Sequence, residues 1–336
     1  MTHTRLALGC RATTMCALLL AIILTGCGKQ NTATGPSASG SNMPGGKKPQ
    51  IALVMKSLAN EFFKTMEQGA EADQRQHASA YDLISNGIEN EQDVSKQVEL
   101  MEQMISRRVD AIVLAPADSK ALVPVCKQAQ DAGIVVVNID NKLDPGALAE
   151  KGARVPFVGP DNRKGARLAG DYLAKTLKPG DEVALVDGLP GAYNAVQRHL
   201  GFQDSMTAAK ASIVTSQAAD WDTGKASSVV GAVLPQHPRL KAILCANDSM
   251  ALGAVAALNG AGRIKQVQVV GFDNIAAVQQ LIKQGEVLCT VDQHGDQIAV
   301  NGIQYALDIL NKKAPPQDKE TPVDLITAQT LAAGKH

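Results

Sequence analysis

The stretch from Ile51 to Phe63, Ile-Ala-Leu-Val-Met-Lys-Ser-Leu-Ala-Asn-Glu-Phe-Phe, decides how the rest of the chain is read. Its apolar, β-branched start, Ile51 to Met55, predicts a buried strand, and the polar break at Lys56, Ser57 and Asn60 predicts the opening of a helix. The same succession of strand, polar break and helix recurs along the chain. Ligands of doubly wound α/β folds sit outside the carboxyl ends of the strands, so the polar residues in these breaks are where function is sought.

Working outward, Phe63, Met66 and Ala70 continue a helix that ends near His77. Strands follow at Tyr81 to Ile84, Ala111 to Leu114 and Ile134 to Val137. The helix between the first two of these carries the apolar stripe Val94, Val98, Met101 and Ile105. A second series of the same kind opens at Phe157-Val158-Gly159. Its strands are Val183 to Val186, Ser212 to Thr215, Ala242 to Leu244, Val267 to Val270 and Val287 to Thr290. Its helices are Arg163 to Leu177, Val196 to Ala209, Trp221 to Leu234, Met250 to Leu258 and Gln297 to Leu310. Alternation of this kind predicts an α/β protein of two similar lobes, each a doubly wound parallel sheet, and 336 residues suffice for two cores.

The first residues belong to targeting rather than to the fold. A basic head (Arg5, Arg11) precedes the apolar run Cys16 to Leu24, which is too short to span a bilayer and ends at Leu24-Thr25-Gly26-Cys27. This resembles a bacterial lipoprotein signal, which implies cleavage before Cys27, diacylation of that cysteine and a lipid-anchored protein of the cell envelope. Gly28 to Lys48, rich in Gly, Ser, Thr, Asn and Pro, reads as a flexible tether. Lys plus Arg and Asp plus Glu number 33 each, so the charge balance gives no reason to expect a nucleic-acid partner. Cys126, Cys245 and Cys289 are scattered without metal-ligand spacing and read as small buried hydrophobes, with no metal expected.

Collected from the breaks, the candidate ligand groups are Lys56, Asn60, Phe62, Phe63, Asp140, Asn141, Arg198, Trp221, Asn247, Asp273 and Gln293. Planar amide, carboxylate and guanidinium groups can each hold adjacent hydroxyls with paired hydrogen bonds, and aromatic faces suit the apolar face of a sugar ring. Lys56 and Arg198 balance Asp140 and Asp273, which favours a neutral polyhydroxy ligand over an anion. Each residue alone has an ordinary structural explanation. Asp140, Asp273 or Asn247 could cap the next helix, Phe62 and Phe63 could be core, and Trp221 could staple a helix start. The recurrence at successive strand ends is what favours a joint site. Dinucleotide, P-loop, nucleophile-elbow and zinc-protease motifs are absent from the sequence, so no cofactor and no enzymatic activity are expected, and paired carboxylates acting on a glycoside are the weak catalytic alternative.

From about Pro49 to Leu325 the chain resembles the periplasmic monosaccharide-binding proteins of ABC importers, the group that contains the ribose- and allose-binding proteins. The resemblance is carried by Met55-Lys56-Ser57-Leu58-Ala59-Asn60-Glu61-Phe62-Phe63, Val137-Asn138-Ile139-Asp140, Ala219-Asp220-Trp221-Asp222, Cys245-Ala246-Asn247-Asp248-Ser249-Met250-Ala251-Leu252-Gly253 and Val270-Gly271-Phe272-Asp273. It implies sugar contacts from Asn60, Phe62, Phe63, Asp140, Arg198, Trp221, Asn247, Asp273 and Gln293, with Lys56 as in allose binders; Asn141 departs from the charged residue of both groups. It also implies an ABC importer permease as partner, or a chemoreceptor or histidine kinase in a sensory variant, and closure of two lobes over the ligand. The expected organisation is a signal peptide at 1–26, a tether at 27–48, a first lobe of 49–157 plus 294–323 and a second of 158–293 plus 324–336. A cyclitol, a sugar alcohol or a furanosyl signal is the alternative ligand. Alanine at Asp140 or Asp273 is expected to weaken binding and leave the fold intact.

Overall fold

The computed structural model describes residues 47–334; the expected signal segment, the expected lipidation position Cys27 and most of the expected tether lie outside the described residues. The first series consists of β1 (Gln50–Met55), α1 (Glu61–Gln76), β2 (Asp82–Gly87), α2 (Val94–Ser106), β3 (Ala111–Leu114), α3 (Val123–Asp131), β4 (Val135–Ile139), α4 (Pro145–Glu150) and β5 (Phe157–Pro160). The second consists of α5 (Asn162–Ala174), β6 (Glu182–Asp187), α6 (Tyr193–Ala208), β7 (Ser212–Ala218), α7 (Thr223–Gln236), β8 (Leu240–Cys245), α8 (Asp248–Gly260), β9 (Gln268–Val270), α9 (Ala276–Gln284) and β10 (Cys289–Asp292). The chain then returns through α10 (Gly295–Leu310) and β11 (Lys319–Thr321) to the first lobe and ends in the second with β12 (Asp324–Thr327) and α11 (Ala328–Ala332).

Two six-stranded sheets result, ordered β11-β5-β4-β3-β1-β2 and β12-β10-β9-β8-β6-β7. The orders superpose strand for strand, and in each the direction of winding reverses beside the first strand of the series, β1 or β6. Every pairing is parallel except β10 with β12. Strand β5 pairs with β11 in the first sheet, so the chain changes lobe after Pro160, later than the boundary expected at Phe157.

Period-2 alternation explains how each sheet is buried on both faces. In β1, Ile51, Leu53 and Met55 point to one apolar cluster with α1 and α10, while Ala52 and Val54 point to another with α2 and α3. In the second lobe Ala184, Val186 and Ile243 face α7 and α8, and Val183, Leu185 and Leu244 face α5 and α6. Cys126, Cys245 and Cys289 are buried, and burial pushes the Cys126 thiol up to about 12, where it stays protonated. The helix expected from Trp221 begins at Thr223 because Asp222 caps it, accepting from Lys225 N.

Candidate functional site

The carboxyl ends of the two sheets face each other, and the groups they carry surround one small cavity. Lys56 follows β1, Glu91 follows β2 and Asp140 follows β4; Asn60, Phe62 and Phe63 open α1. From the second lobe come Asn194 and Arg198 on α6, Trp221 after β7, Asn247 after β8, Asp273 after β9 and Gln293 after β10. All of the residues expected from sequence line this cavity except Asn141. A larger recess in the second lobe, lined by Tyr172, Asp181 and Lys265, lies by the amino ends of its strands, the end such folds do not use for ligands.

Asn141 is a correction. It is fully buried, but its side chain turns away from the cavity. Its Nδ2 donates to Pro116 O at 2.9 Å, and its Oδ1 accepts from Ser119 Oγ at 3.3 Å and from Asn194 N at 3.1 Å. The left-handed backbone at Asp140 turns the next side chain toward the loop after β3 and the start of α6.

Glu91 and Asn194 were not foreseen. Glu91 sits in a polar loop, Glu89-Asn90-Glu91-Gln92, that offers no local pattern to distinguish it from a solvated surface, yet it is 5% exposed. Asn194 lies at the start of a helix, where an Asn is expected to be a cap; the backbone there leaves its Oδ1 buried without a partner.

The ionic groups are arranged in two sets. Lys56 Nζ lies 3.1 Å from Glu91 Oε2 and 3.3 Å from Asp140 Oδ2, with all three side chains nearly sealed from solvent. Burial alone would lower the Lys56 ammonium, but Asp140 and Glu91 together outweigh it and hold the group above its ordinary value, so it stays charged. Burial pushes the Glu91 carboxyl up, against the pull of Lys56. In the second set Arg198 donates through Nε to Asn162 Oδ1 at 2.8 Å and through a terminal nitrogen to Ala246 O at 2.9 Å and Asp273 Oδ1 at 3.3 Å. Gln293 Nε2 donates to the same Asp273 oxygen at 2.7 Å. Burial raises Asp273 well above the usual carboxylate range, with Arg198 opposing.

Aromatic faces wall the cavity. Phe62 and Phe63 meet edge to face with centroids 5.1 Å apart, Lys56 Nζ lies 5.5 Å from the Trp221 ring, and the Arg198 guanidinium stacks 3.7 Å over Phe272. Trp221 reaches its place through a left-handed backbone at Asp220 and Trp221, with φ of 51° and 66°, and its ring lies over Gly188, where a Cβ would fall 2.1 Å from the ring. Asp140 (φ 60°) and Asp273 (φ 124°) are likewise held in uncommon backbone regions. Strain of this kind, concentrated at strand ends that meet in one cavity, marks the positions that the surrounding fold holds against local preference.

Several polar atoms here are buried without a hydrogen-bond partner: Trp221 Nε1, Asn194 Oδ1 and Gln293 Oε1. Glu91 Oε2 and Asp140 Oδ2 have the Lys56 charge beside them but no aligned bond. Natural structures leave few such atoms, since each costs about 1–3 kcal/mol, so a group of them converging from two lobes specifies a polar ligand.

The model of the periplasmic binding protein domain matches residues 51–314. The chain belongs to the periplasmic binding protein family. The D-ribose/D-allose-binding protein of Pseudomonas aeruginosa is 55% identical over 315 residues, covering 93% of this chain and 97% of that one. Among solved structures, an ABC transporter solute-binding protein of Burkholderia multivorans is 55% identical with a TM-score of 0.82, covering 84% of this chain and all of the other; its unknown ligand is drawn as α-D-erythrofuranose. A periplasmic solute-binding protein of Actinobacillus succinogenes with bound D-allose is 36% identical with a TM-score of 0.81, over 85% of this chain and 100% of that one. The two-lobe architecture described above is that of this family, and its cavity lies where the strand ends of both sheets converge.

Proposed function

We propose that this periplasmic binding protein captures a neutral monosaccharide of the allose or ribose kind between its lobes and delivers it to an importer permease, without transforming it. The observation that carries the reading is the mixture of unpartnered buried atoms. Asn194 Oδ1 and Gln293 Oε1 need donors, whereas Trp221 Nε1 needs an acceptor. A hydroxyl both donates and accepts. An anion would match donors only, and an ammonium acceptors only.

The apolar faces of Phe62, Phe63 and Trp221 suit the C–H face of a sugar ring, and the carboxyl groups of Glu91, Asp140 and Asp273, held beside Lys56 and Arg198, offer oxygens for hydrogen bonds with hydroxyls. Because the groups are divided between lobes, a ligand that touches both favours the closed arrangement by its differential contacts. The D-allose and D-ribose relatives support this class of ligand. The furanose drawn in the 55% identical structure favours a second reading, a smaller furanosyl ligand in the same cavity.

A thermal-shift screen of the purified protein against D-allose, D-ribose, D-psicose, myo-inositol and xylitol tests this. A ligand at about 100 times its Kd stabilises by about 2.7 kcal/mol, a clear shift. Silence toward every sugar, or appearance of a product on incubation, would overturn the reading. A response to ribose or psicose without one to allose would favour the furanosyl reading. We further propose that Cys27 carries the lipid. Mass spectrometry of the membrane-extracted protein is expected to show a diacylated Cys27 as the first residue, and Cys27→Ala is expected to move the protein out of the membrane fraction.

A further inference from the structure

Most helices whose amino ends begin with Asn or Asp cap themselves: Asn60, Asp93, Asp161, Asp222 and Asn247 each accept a bond from the first turn of the helix they precede. Helices α6 and α9 have no such residue. Their N-cap positions are Ala192 and Ile275, whose side chains accept nothing. The missing acceptors come from the other lobe. Glu61 Oε1, at the start of α1, accepts from Ala276 N at 2.9 Å. Ser119 Oγ, in the loop after β3, accepts from Tyr193 N at 2.9 Å, and Asn141 Oδ1 accepts from Asn194 N at 3.1 Å. Ser119 N in turn donates to Gly191 O at 3.1 Å, so the loop and the helix start are tied in both directions.

We propose that these caps across the lobe junction form a closure latch, in which Glu61, Ser119 and Asn141 set the stability of the closed arrangement. They are positioning residues: none of the three lines the cavity, and they act through the orientation of the lobes. The proposal rests on the reading of the cavity as a sugar site and adds how closure over it is held. An orphan amide at a helix end is satisfied by water when the lobes part and by a fixed side chain when they meet, and the Glu61 carboxylate also lies at the positive end of α9. Each cap therefore shifts the equilibrium between open and closed forms, by about two- to thirtyfold at the values caps contribute elsewhere. Because the latch touches no ligand, the factor is the same for every ligand that needs closure.

The test uses Glu61→Ala, Glu61→Gln and Ser119→Ala in the whole protein, with Kd and dissociation rates for D-allose and D-ribose. Lobe separation is measured by pulsed electron resonance between a spin label on the exposed face of α2 and one on that of α7, with and without sugar. Glu61→Ala and Ser119→Ala are expected to weaken both sugars by a common factor, chiefly through faster dissociation. They are also expected to shift the ligand-free distances toward wider separations. Glu61→Gln, which keeps an acceptor oxygen, is expected to restore most of the loss. Unchanged distances, or a loss confined to one sugar, would overturn the latch. If the unaltered protein binds neither sugar, the cavity reading fails and the distance distributions alone decide the latch.

Discussion

Asn60 and Asn247 spend Oδ1 on capping α1 and α8, accepting from Phe62 N at 3.0 Å and Met250 N at 2.9 Å, and keep their NH2 groups for the cavity. Capping and a place on the cavity wall are therefore compatible in these residues, which is why sequence alone could not choose between them. Asp140 and Asp273 differ. Neither caps a helix; each faces a buried cation instead. Asp140→Ala is expected to weaken sugar binding at least tenfold, read by calorimetry, because hydroxyls would be left unpaired. Asp273→Ala is expected to do the same and in addition to cost about 3 kcal/mol of stability in denaturant unfolding, since it removes a partner of the buried Arg198 guanidinium. For Asp273 this replaces the sequence expectation of an undisturbed fold.

Asp248, the first residue of α8, accepts from Thr290 Oγ1 at 2.7 Å and Ile275 N at 2.9 Å, yet burial raises its carboxyl to about 7. Its folded-state value thus lies above that of the unfolded chain, so between about pH 4 and 7 the native state holds the proton and the unfolded state does not. Stability from this group falls as pH rises through that window. The stability deficit of Asp248→Asn relative to the unaltered protein is therefore expected to shrink by about 2–3 kcal/mol between pH 5 and pH 8, measured by urea unfolding at each pH. A deficit independent of pH would show that the native carboxyl titrates normally.

At the scale of elements, paired helices meet at glycines. A Cβ on Gly201 of α6 would lie 2.3 Å from Arg163 O of α5, and one on Gly253 of α8 would lie 2.2 Å from Thr223 O of α7. Equivalent helix pairs in one lobe thus approach through the same device. Gly253→Ala is expected to destabilise by about 1–3 kcal/mol, because backbone would have to move. Gly231→Ala, in α7 where a Cβ meets nothing within 4 Å, is expected to stabilise by about 0.5–1 kcal/mol. Thermal unfolding of the two variants separates the cases, and equal effects would contradict the packing account. Strands and long amphipathic helices were legible in the sequence because their periods are local. Helix α9 and the edge strands β11 and β12 were not separately resolved by reading. The edge strands comprise only Lys319–Thr321 and Asp324–Thr327, and they exist by pairing with β5 and β10.

For the whole molecule, the chain changes lobe at three places, after β5, between β10 and α10, and between β11 and β12. Motion about such a hinge leaves each sheet and its flanking helices intact and alters only the facing strand ends. Small-angle scattering is expected to show a smaller radius of gyration in saturating D-allose than without it; equal values would argue against ligand-coupled closure.

The sequence by itself determined the α/β alternation, the likeness of the two lobes and nearly all of the residues around the cavity. Each of those follows from a strand-length apolar run and the polar residues directly after it. Only the tertiary structure decided that Asn141 serves the lobe junction and that Glu91 and Asn194 join the cavity. It also decided that Ala192 and Ile275 borrow their caps from the opposite lobe. Those outcomes depend on which side chains meet across a gap between residues tens to hundreds of positions apart, and local periodicity carries no information about that pairing.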